Sequence, residues 1–275
     1  MSKETCASYQ TTEVITVFSQ QENGRIVDTE KPSPTKLSVV IPAFNESALI
    51  ADCIKSIKQA FQGLQNPAWQ PRIIVCDNNS SDGTSEVAAH SGAEVIFEPH
   101  NQISRARNKG ASGVRSEWIL FVDADSRVSQ RLARETVTLM TSEHVAGGGA
   151  VIAMETQNRM AVFLVGLWNR LSRLTQTAAG SYLFCRTADF KAVGGFSEDL
   201  YASEELNLTK KIKKLTKSRG QSFRIITSSP IHTSARKFGL YSKTEQLRFF
   251  IGGLLSPIKM PRDKDACFIW YDGRR

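Results

Sequence analysis

Between Leu37 and Val122 the chain alternates between two patterns of apolar residues. Short apolar runs, Leu37 to Ile41, Arg72 to Cys76, Glu94 to Phe97 and Trp118 to Val122, are separated by stretches with helical spacing, Ala48 to Phe61, Thr84 to Ala89 and Ser104 to Val114. The runs suit strands, and the intervening stretches suit helices with one buried face. Their order, βαβαβαβ, predicts a parallel sheet covered by helices, with ligand sites beyond the carboxyl ends of the strands. Before Leu37 the texture is polar and closes on Lys31-Pro32-Ser33-Pro34-Thr35, so residues 1–36 read as an extension or linker, within which Val14 to Phe18 has the makings of a short strand. Residues 158–177 carry Phe163, Leu164, Leu167, Trp168, Leu171 and Leu174 at three-to-four spacing with Arg159, Arg170 and Arg173 around them, a helix expected to pack in the core. A basic amphipathic helix also suits an anionic membrane surface, and the apolar segment "RFFIGGLLSPIKM" near the C-terminus has the same two readings.

Composition narrows the picture only in part. With 275 residues, 41% of them hydrophobic and 23% charged, the chain is long enough for one main domain with a sizeable core. The net charge of +8 suits an anionic partner without choosing among a nucleotide, a nucleic acid and membrane head groups. Nucleic acid is disfavoured, because the cations form no single basic stretch interleaved with aromatic residues. Five scattered cysteines make neither a zinc site nor a small disulfide scaffold, so a reducing cytoplasm is expected. The start, Met1-Ser2-Lys3-Glu4, lacks an apolar signal core and the stretch Met160 to Trp168 is too short to span a bilayer; no leader or transmembrane helix is expected.

The polar residues gather at the predicted strand ends. The first run leads into Pro42-Ala43-Phe44-Asn45-Glu46, the second into Asp77-Asn78-Asn79-Ser80-Ser81-Asp82-Gly83-Thr84, and the fourth into Asp123-Ala124-Asp125. In an extended segment residues two apart share a face, so Asp123 and Asp125 can address one centre, and a divalent cation would relieve their repulsion. Mg2+ or Mn2+ takes oxygen ligands and needs few protein carboxylates when a diphosphate completes the shell. Phe44 offers a stacking face, and a fixed carboxylate at Asp77 would select a base with an imide N–H. Asp77 is equally suited to starting the turn that follows it. Gly147-Gly148-Gly149 lacks the Lys-Ser/Thr of a phosphate loop, so close strand packing is expected there.

With the segments "VVIPAFNE", "VCDNNSSDGT", "ISRARNKG", "WILFVDADS", "VGGFSEDLYASEELNLTKKIKK" and, more loosely, "IHTSARK", the chain resembles the inverting family 2 glycosyltransferases of GT-A fold over about Leu37 to Lys237. The resemblance implies an α/β fold, a single Rossmann-like nucleotide-sugar-binding domain with a mostly parallel sheet flanked by helices, over residues 37–240. Residues 241–275 would then be a C-terminal extension with an amphipathic helix. By the same resemblance the nucleotide meets Pro42, Ala43, Phe44, Glu46 and Asp77 on one side, and Asp123, Ala124, Arg105 and Arg107 on the other. The metal, Mn2+ or Mg2+, falls to Asp123 and Asp125, with His232 as a further ligand, and Arg236 or Lys237 closes over the diphosphate. The family pattern usually has Glu-Asp at the start of a helix, with the aspartate as general base. Here Glu204-Glu205 stands in that place, so Glu205 takes the base position and Glu204 the supporting one; the longer side chain leaves open an exchange of the two roles. Acidic residues in a first helical turn also serve the helix dipole.

Together these observations imply an enzyme that moves a sugar from a nucleotide donor, with UDP-sugar favoured, to a glycan, lipid-linked or small-molecule acceptor. A phosphate acceptor on a polyprenyl carrier, which needs no base, and a nucleotide-sugar-binding module without turnover are the alternatives. Peripheral contact with the inner face of a membrane is compatible with each.

Overall fold

The computed structural model describes residues 35–154, 156, 158–236, 240–242, 244–245, 248 and 259–271. The sheet is built outward from β1, Leu37–Ala43, every residue of which is buried. On one side β1 pairs in parallel with β2, Arg72–Asp77, and β2 with β3, Glu94–Phe97; on the other it pairs in parallel with β4, Trp118–Val122. The crossovers are α1, Ile50–Gln62, α2, Thr84–His90, and α3, Ile103–Ser112. The first half thus has the predicted order, with boundaries within a few residues of those expected.

Side chains leave β1 alternately for two cores. Leu37, Val39 and Ile41 join Ile54, Ile57 and Phe61 of α1, while Val40 joins Ile74, Ile119 and Phe121 beneath α3. Both faces of the central strands are therefore covered, which is why they read as continuous apolar runs. Gly110 lets α3 lie directly on β1, because a Cβ there would strike Val40 Cγ1.

Beyond β4 the sheet continues with strands that the apolar pattern did not reveal. After the two-residue β5, Ser126–Arg127, and α4, Gln130–Met140, come β6, Val145–Met154, and β7, Tyr182–Arg186. β7 runs antiparallel between β4 and β6, and β8, Ser222–Thr233, runs parallel to β6, giving the order β3-β2-β1-β4-β7-β6-β8-β5. The three glycines of β6 serve close packing, as expected: a Cβ on Gly147 would sit 2.6 Å from Phe184 O. Between β6 and β7 lies α5, Arg159–Thr175, and between β7 and β8 lie α6, Thr187–Ala192, and α7, Glu204–Thr216.

One expectation is corrected. Of α5 only Ala161 and Ser172 are buried, and Phe163, Leu167, Leu171 and Leu174 are exposed rather than packed in the core. The strand suggested at Val14 to Phe18 and most of "RFFIGGLLSPIKM" lie outside the described residues. Among the described residues no helix is long and apolar enough to cross a membrane, and Cys53, Cys76, Cys185 and Cys267 are free and buried.

Candidate active site

A cleft opens at the carboxyl ends of β1, β2 and β4. Its walls include Pro42, Ala43, Phe44 and Glu46 after β1, Asn78 after β2, and Asp123, Ala124 and Asp125 after β4. Seven of the residues expected at a nucleotide or metal therefore face one space, although they come from segments about 80 residues apart.

Polar side chains hold the cleft walls in shape. Asn45 and Asn79 adopt left-handed backbone conformations, φ 52° and 66°, which asparagine tolerates. Asn45 Oδ1 accepts from Ser81 N at 2.8 Å, Asn45 N donates to Ser80 Oγ at 2.9 Å, and Glu46 N donates to Thr84 Oγ1 at 2.9 Å, so the loops after β1 and β2 are locked together. Asp77 is buried and accepts from Ser80 N at 3.0 Å and Ser85 Oγ at 2.5 Å. Two of the carboxylate's roughly four acceptor positions are so used, and two remain. Asp77 does not line the cleft itself; Asn78 does, with its amide tied to Glu98 O, His100 O and Gln102 N.

The arginines of "ISRARNKG" differ from expectation. Neither lines the cleft. Arg105 is paired with Glu98 at 3.3 Å and Glu198 at 2.7 Å, because α3 turns it away from β4 toward those loops. Arg107, 1% exposed, points inward, where its Nη2 donates to Asp123 Oδ1 at 2.9 Å and its Nη1 to Glu204 Oε1 at 2.5 Å. Its guanidinium lies over the Phe196 ring, 5.2 Å from the centroid. Burial works against the charge of Arg107, but Asp123 and then Glu204 more than offset it and raise the pKa. Asn108 completes the bracket by exchanging hydrogen bonds of 3.0 Å with the backbone of Phe196. The helix expected to touch the nucleotide thus joins the end of β4 to the start of α7.

At that start Ser203 adopts φ 60°, a conformation uncommon outside glycine, and no side chain caps the helix. The acidic pair stands in this uncapped first turn, where it also meets the helix dipole. Glu204 is buried against Arg107, and Glu205 is half-buried beside it. Burial raises both carboxyls above the ordinary carboxylate range; for Glu205 the neighbouring Glu204 is the next cause, while Arg107 pulls both back.

Asp123 and Asp125 offer hard oxygen donors to the same cleft, a chemistry that fits Mg2+ or Mn2+. Among the described residues no group of three His, Cys, Asp or Glu side chains is placed to hold a metal, so a ligand would have to supply the remaining donors. Asp125 is positioned by Thr233 Oγ1, 3.2 Å from its Oδ1, and by Ser234 N at 3.1 Å from its carbonyl. His232 is the exposed neighbour of Thr233 on β8, where strand alternation turns successive side chains to opposite faces. It is not among the residues that line the cleft. Arg236 lies beside the cleft and donates to the buried Glu46 carboxylate at 2.5 Å; Lys237 lies outside the described residues.

Tyr271 is a cleft residue that sequence reasoning missed. It comes from the single helical turn Phe268–Tyr271, its hydroxyl accepting from Ile103 N at 3.3 Å and donating to Tyr201 O at 3.1 Å. Tyr201 N donates to Pro261 O at 2.6 Å, so this segment is fastened next to the acidic pair. No periodicity or motif marks it in the sequence.

The family model for glycosyl transferase family 2 matches residues 38–192, more than half of the chain. The chain belongs to this family. An uncharacterized glycosyltransferase of Rickettsia prowazekii is 34% identical over 109 residues, which are 40% of this chain and 34% of the relative. Glycosyltransferase AglJ of Haloferax volcanii is 25% identical over 166 residues, 59% of this chain and 49% of the relative, so the chain spans half or less of these two relatives. Among solved structures, a mannosyltransferase of Pyrobaculum calidifontis, in complex with GDP-mannose and Mn2+, superposes with a TM-score of 0.58 at 15% identity, covering 86% of this chain and 65% of the other. Glucosyl-3-phosphoglycerate synthase of Mycobacterium tuberculosis, in complex with Mn2+, UDP-glucose and phosphoglyceric acid, gives 0.55 at 17% identity, covering 85% and 80%. The fold of this family 2 member is GT-A.

Proposed function

We propose that this chain is a metal-dependent inverting glycosyltransferase that moves a sugar from a UDP-sugar to an acceptor hydroxyl. The observation that carries the reading is the convergence of Phe44, Asp123 and Asp125 on one cleft, with Arg107 tying Asp123 to the Glu204-Glu205 pair. The M. tuberculosis and P. calidifontis enzymes, in complex with Mn2+ and UDP-glucose or GDP-mannose, support a nucleotide-sugar donor; Asp77 suits a base with a ring N–H, as uracil has, and the donor screen below separates uracil from guanine.

In this reading the base stacks on Phe44, and Asp77 accepts its imide N–H through the lone pairs that Ser80 and Ser85 leave open. Asp123 and Asp125 would hold the metal, which when bound offsets the charge of the diphosphate. Arg236 exchanges Glu46 for a phosphate. The acceptor oxygen approaches the anomeric carbon opposite the diphosphate, Glu205 takes its proton as the new C–O bond forms, and the nucleoside diphosphate leaves with the electrons of the old one. Attack from the face opposite the leaving group inverts the anomeric centre. Arg107 pairs with Glu204 and fixes it beside Glu205, opposing the rise that burial gives the Glu204 carboxyl.

One observation favours a second reading. Burial and Glu204 both hold Glu205 toward its protonated form, and an acceptor already ionised, such as a polyprenyl phosphate, needs no base. The decisive experiment is calorimetric donor binding together with donor hydrolysis, screened over UDP- and GDP-sugars with Mn2+ and Mg2+. UDP-sugars are expected to bind and turn over slowly with metal, and Asp125→Asn to abolish the metal-dependent part of binding. Unchanged affinity in that variant overturns the metal assignment; binding without hydrolysis or transfer to any acceptor selects a non-catalytic module.

A further inference from the structure

Of the eight large apolar residues left exposed among the described residues, six are on α5. They are not scattered. At 3.6 residues per turn Met160, Phe163, Leu167, Leu171 and Leu174 fall in one arc of about 80°, opposite the buried Ala161 and Ser172. Their exposures run from 49% at Leu171 to 76% at Leu174, a continuous apolar stripe turned outward rather than toward the sheet. On one flank of it Arg159, Arg170 and Arg173 share a second arc of about 60°. α5 contains no acidic residue, none of the three arginines forms an ion pair among the described residues, and Lys213 adds a further cation by donating to Thr175 O at 2.7 Å.

The charges decide between occupants. A second copy of the chain seated on the stripe would bring six guanidiniums around one apolar seam with no carboxylate from either helix, a costly like-charge arrangement. A bilayer rich in anionic lipid offers acyl chains for the stripe and phosphates for the arginines, and the chain's net charge of +8 draws it the same way. Position agrees with that occupant. Met154 at the end of β6 pairs with Thr233, whose hydroxyl reaches Asp125, and α5 begins five residues later, so its first turn starts at the sheet edge that holds the cleft.

We propose that α5 is a docking helix that lies in the surface of an anionic bilayer, its apolar stripe at the headgroup boundary and Arg159, Arg170 and Arg173 on lipid phosphates. The proposal stands apart from the transfer reaction, because it concerns a face of the helix that contributes nothing to the cleft.

The test is co-sedimentation of the full chain with phosphatidylcholine vesicles, with and without phosphatidylglycerol, in the absence of donor and acceptor. The protein is expected to sediment with the phosphatidylglycerol-containing vesicles and to be released in part by salt. The double substitution Phe163→Glu and Leu167→Glu should lower the bound fraction roughly ten-fold while leaving the circular dichroism and melting midpoint unchanged, since both side chains are exposed. If that variant does not fold, Leu174→Glu, at the most exposed position, is read in its place. Arg170→Glu with Arg173→Glu should remove the preference for phosphatidylglycerol. Absence of binding by the parent chain, equal binding by the stripe variants, or a dimer in solution that the stripe variants dissociate each overturns the proposal. None of these outcomes bears on donor binding or turnover, so the two readings fail separately.

Discussion

The strands of residues 37–125 and those of residues 145–233 share one sheet but are held by different means. The first region is a run of parallel βαβ units whose central strands β1 and β4 are buried along their whole length and pair directly with each other. The second is assembled by antiparallel insertion of β7, by a helix whose apolar face turns outward, and by polar anchors between distant segments. The β4–β7 ladder joins them along the sheet, and α3 joins them by side chains. Arg107 reaches residues 16 and 97 positions along the chain, Asp123 and Glu204, and Asn108 grips Phe196 88 positions away. The cleft is thus built chiefly on the strand ends of a regular scaffold, whereas the acidic pair is anchored by one buried guanidinium. A buried ion pair of this kind adds little net stability against a well-packed apolar substitute, but removing one partner leaves charge stranded. Here it fastens α3 to the first residue of α7.

The largest effect tests the chemistry of the second region. Glu205→Gln keeps shape and hydrogen-bonding capacity but cannot take a proton, so transfer should fall roughly 10²–10⁴-fold while donor affinity stays within a few-fold. If Glu204→Gln causes the larger fall and Glu205→Gln is nearly silent, the roles of the two carboxyls are exchanged; if both are silent, the phosphate-acceptor reading gains. The pH dependence follows from the raised pKa. A base must be deprotonated, so kcat/KM should rise with pH through a range above the ordinary carboxylate value of 4.5. Stability should move the other way. A carboxyl whose folded pKa is raised contributes stability that is fully present below 4.5 and is lost as pH climbs through the folded value, which denaturation at a series of pH values will read.

Next in size is the link itself. Arg107→Met leaves the buried Glu204 and the half-buried Asp123 without their partner and should cost roughly 3–5 kcal/mol in urea unfolding, with Arg107→Lys intermediate because it keeps the charge and loses the fork. A loss below about 1 kcal/mol would mean that the two regions are held by packing alone. A smaller effect is expected within the donor scaffold. Asp77→Asn can present a donor toward the base N–H and should weaken UDP binding by about 1–3 kcal/mol in calorimetry. Full affinity would confine Asp77 to shaping its turn through Ser80 and Ser85.

The smallest expected effect sharpens the contrast most directly. Leu174→Ala on the outer stripe of α5 should change stability by no more than about 0.5 kcal/mol, although it removes the same atoms whose loss from a buried position such as Leu120 is severe. A large cost at Leu174 would show that the stripe is covered within the chain.

Much of the scaffold was legible in the sequence. The apolar runs and the three-to-four spacing located β1 to β4 and α1 to α3, and the polar strand ends together with the family resemblance pointed to Pro42, Ala43, Phe44, Glu46, Asp123, Ala124 and Asp125, which line one cleft. These features are local, since strand, helix and turn preferences are set by residues within a few positions of each other. By contrast, the inward turn of Arg107, the pairing of Arg105 with Glu98 and Glu198, the engagement of Arg236 with Glu46, the outward stripe of α5 and the arrival of Tyr271 were decided by tertiary structure alone. A cation in a helical segment has the same sequence whether it meets a carboxylate, a phosphate or water, and an amphipathic helix has the same moment whether its apolar face turns in or out. For Arg107, Arg236 and Tyr271 the answer depends on partners about 70 to 190 residues away, and only the folded chain brings them within reach.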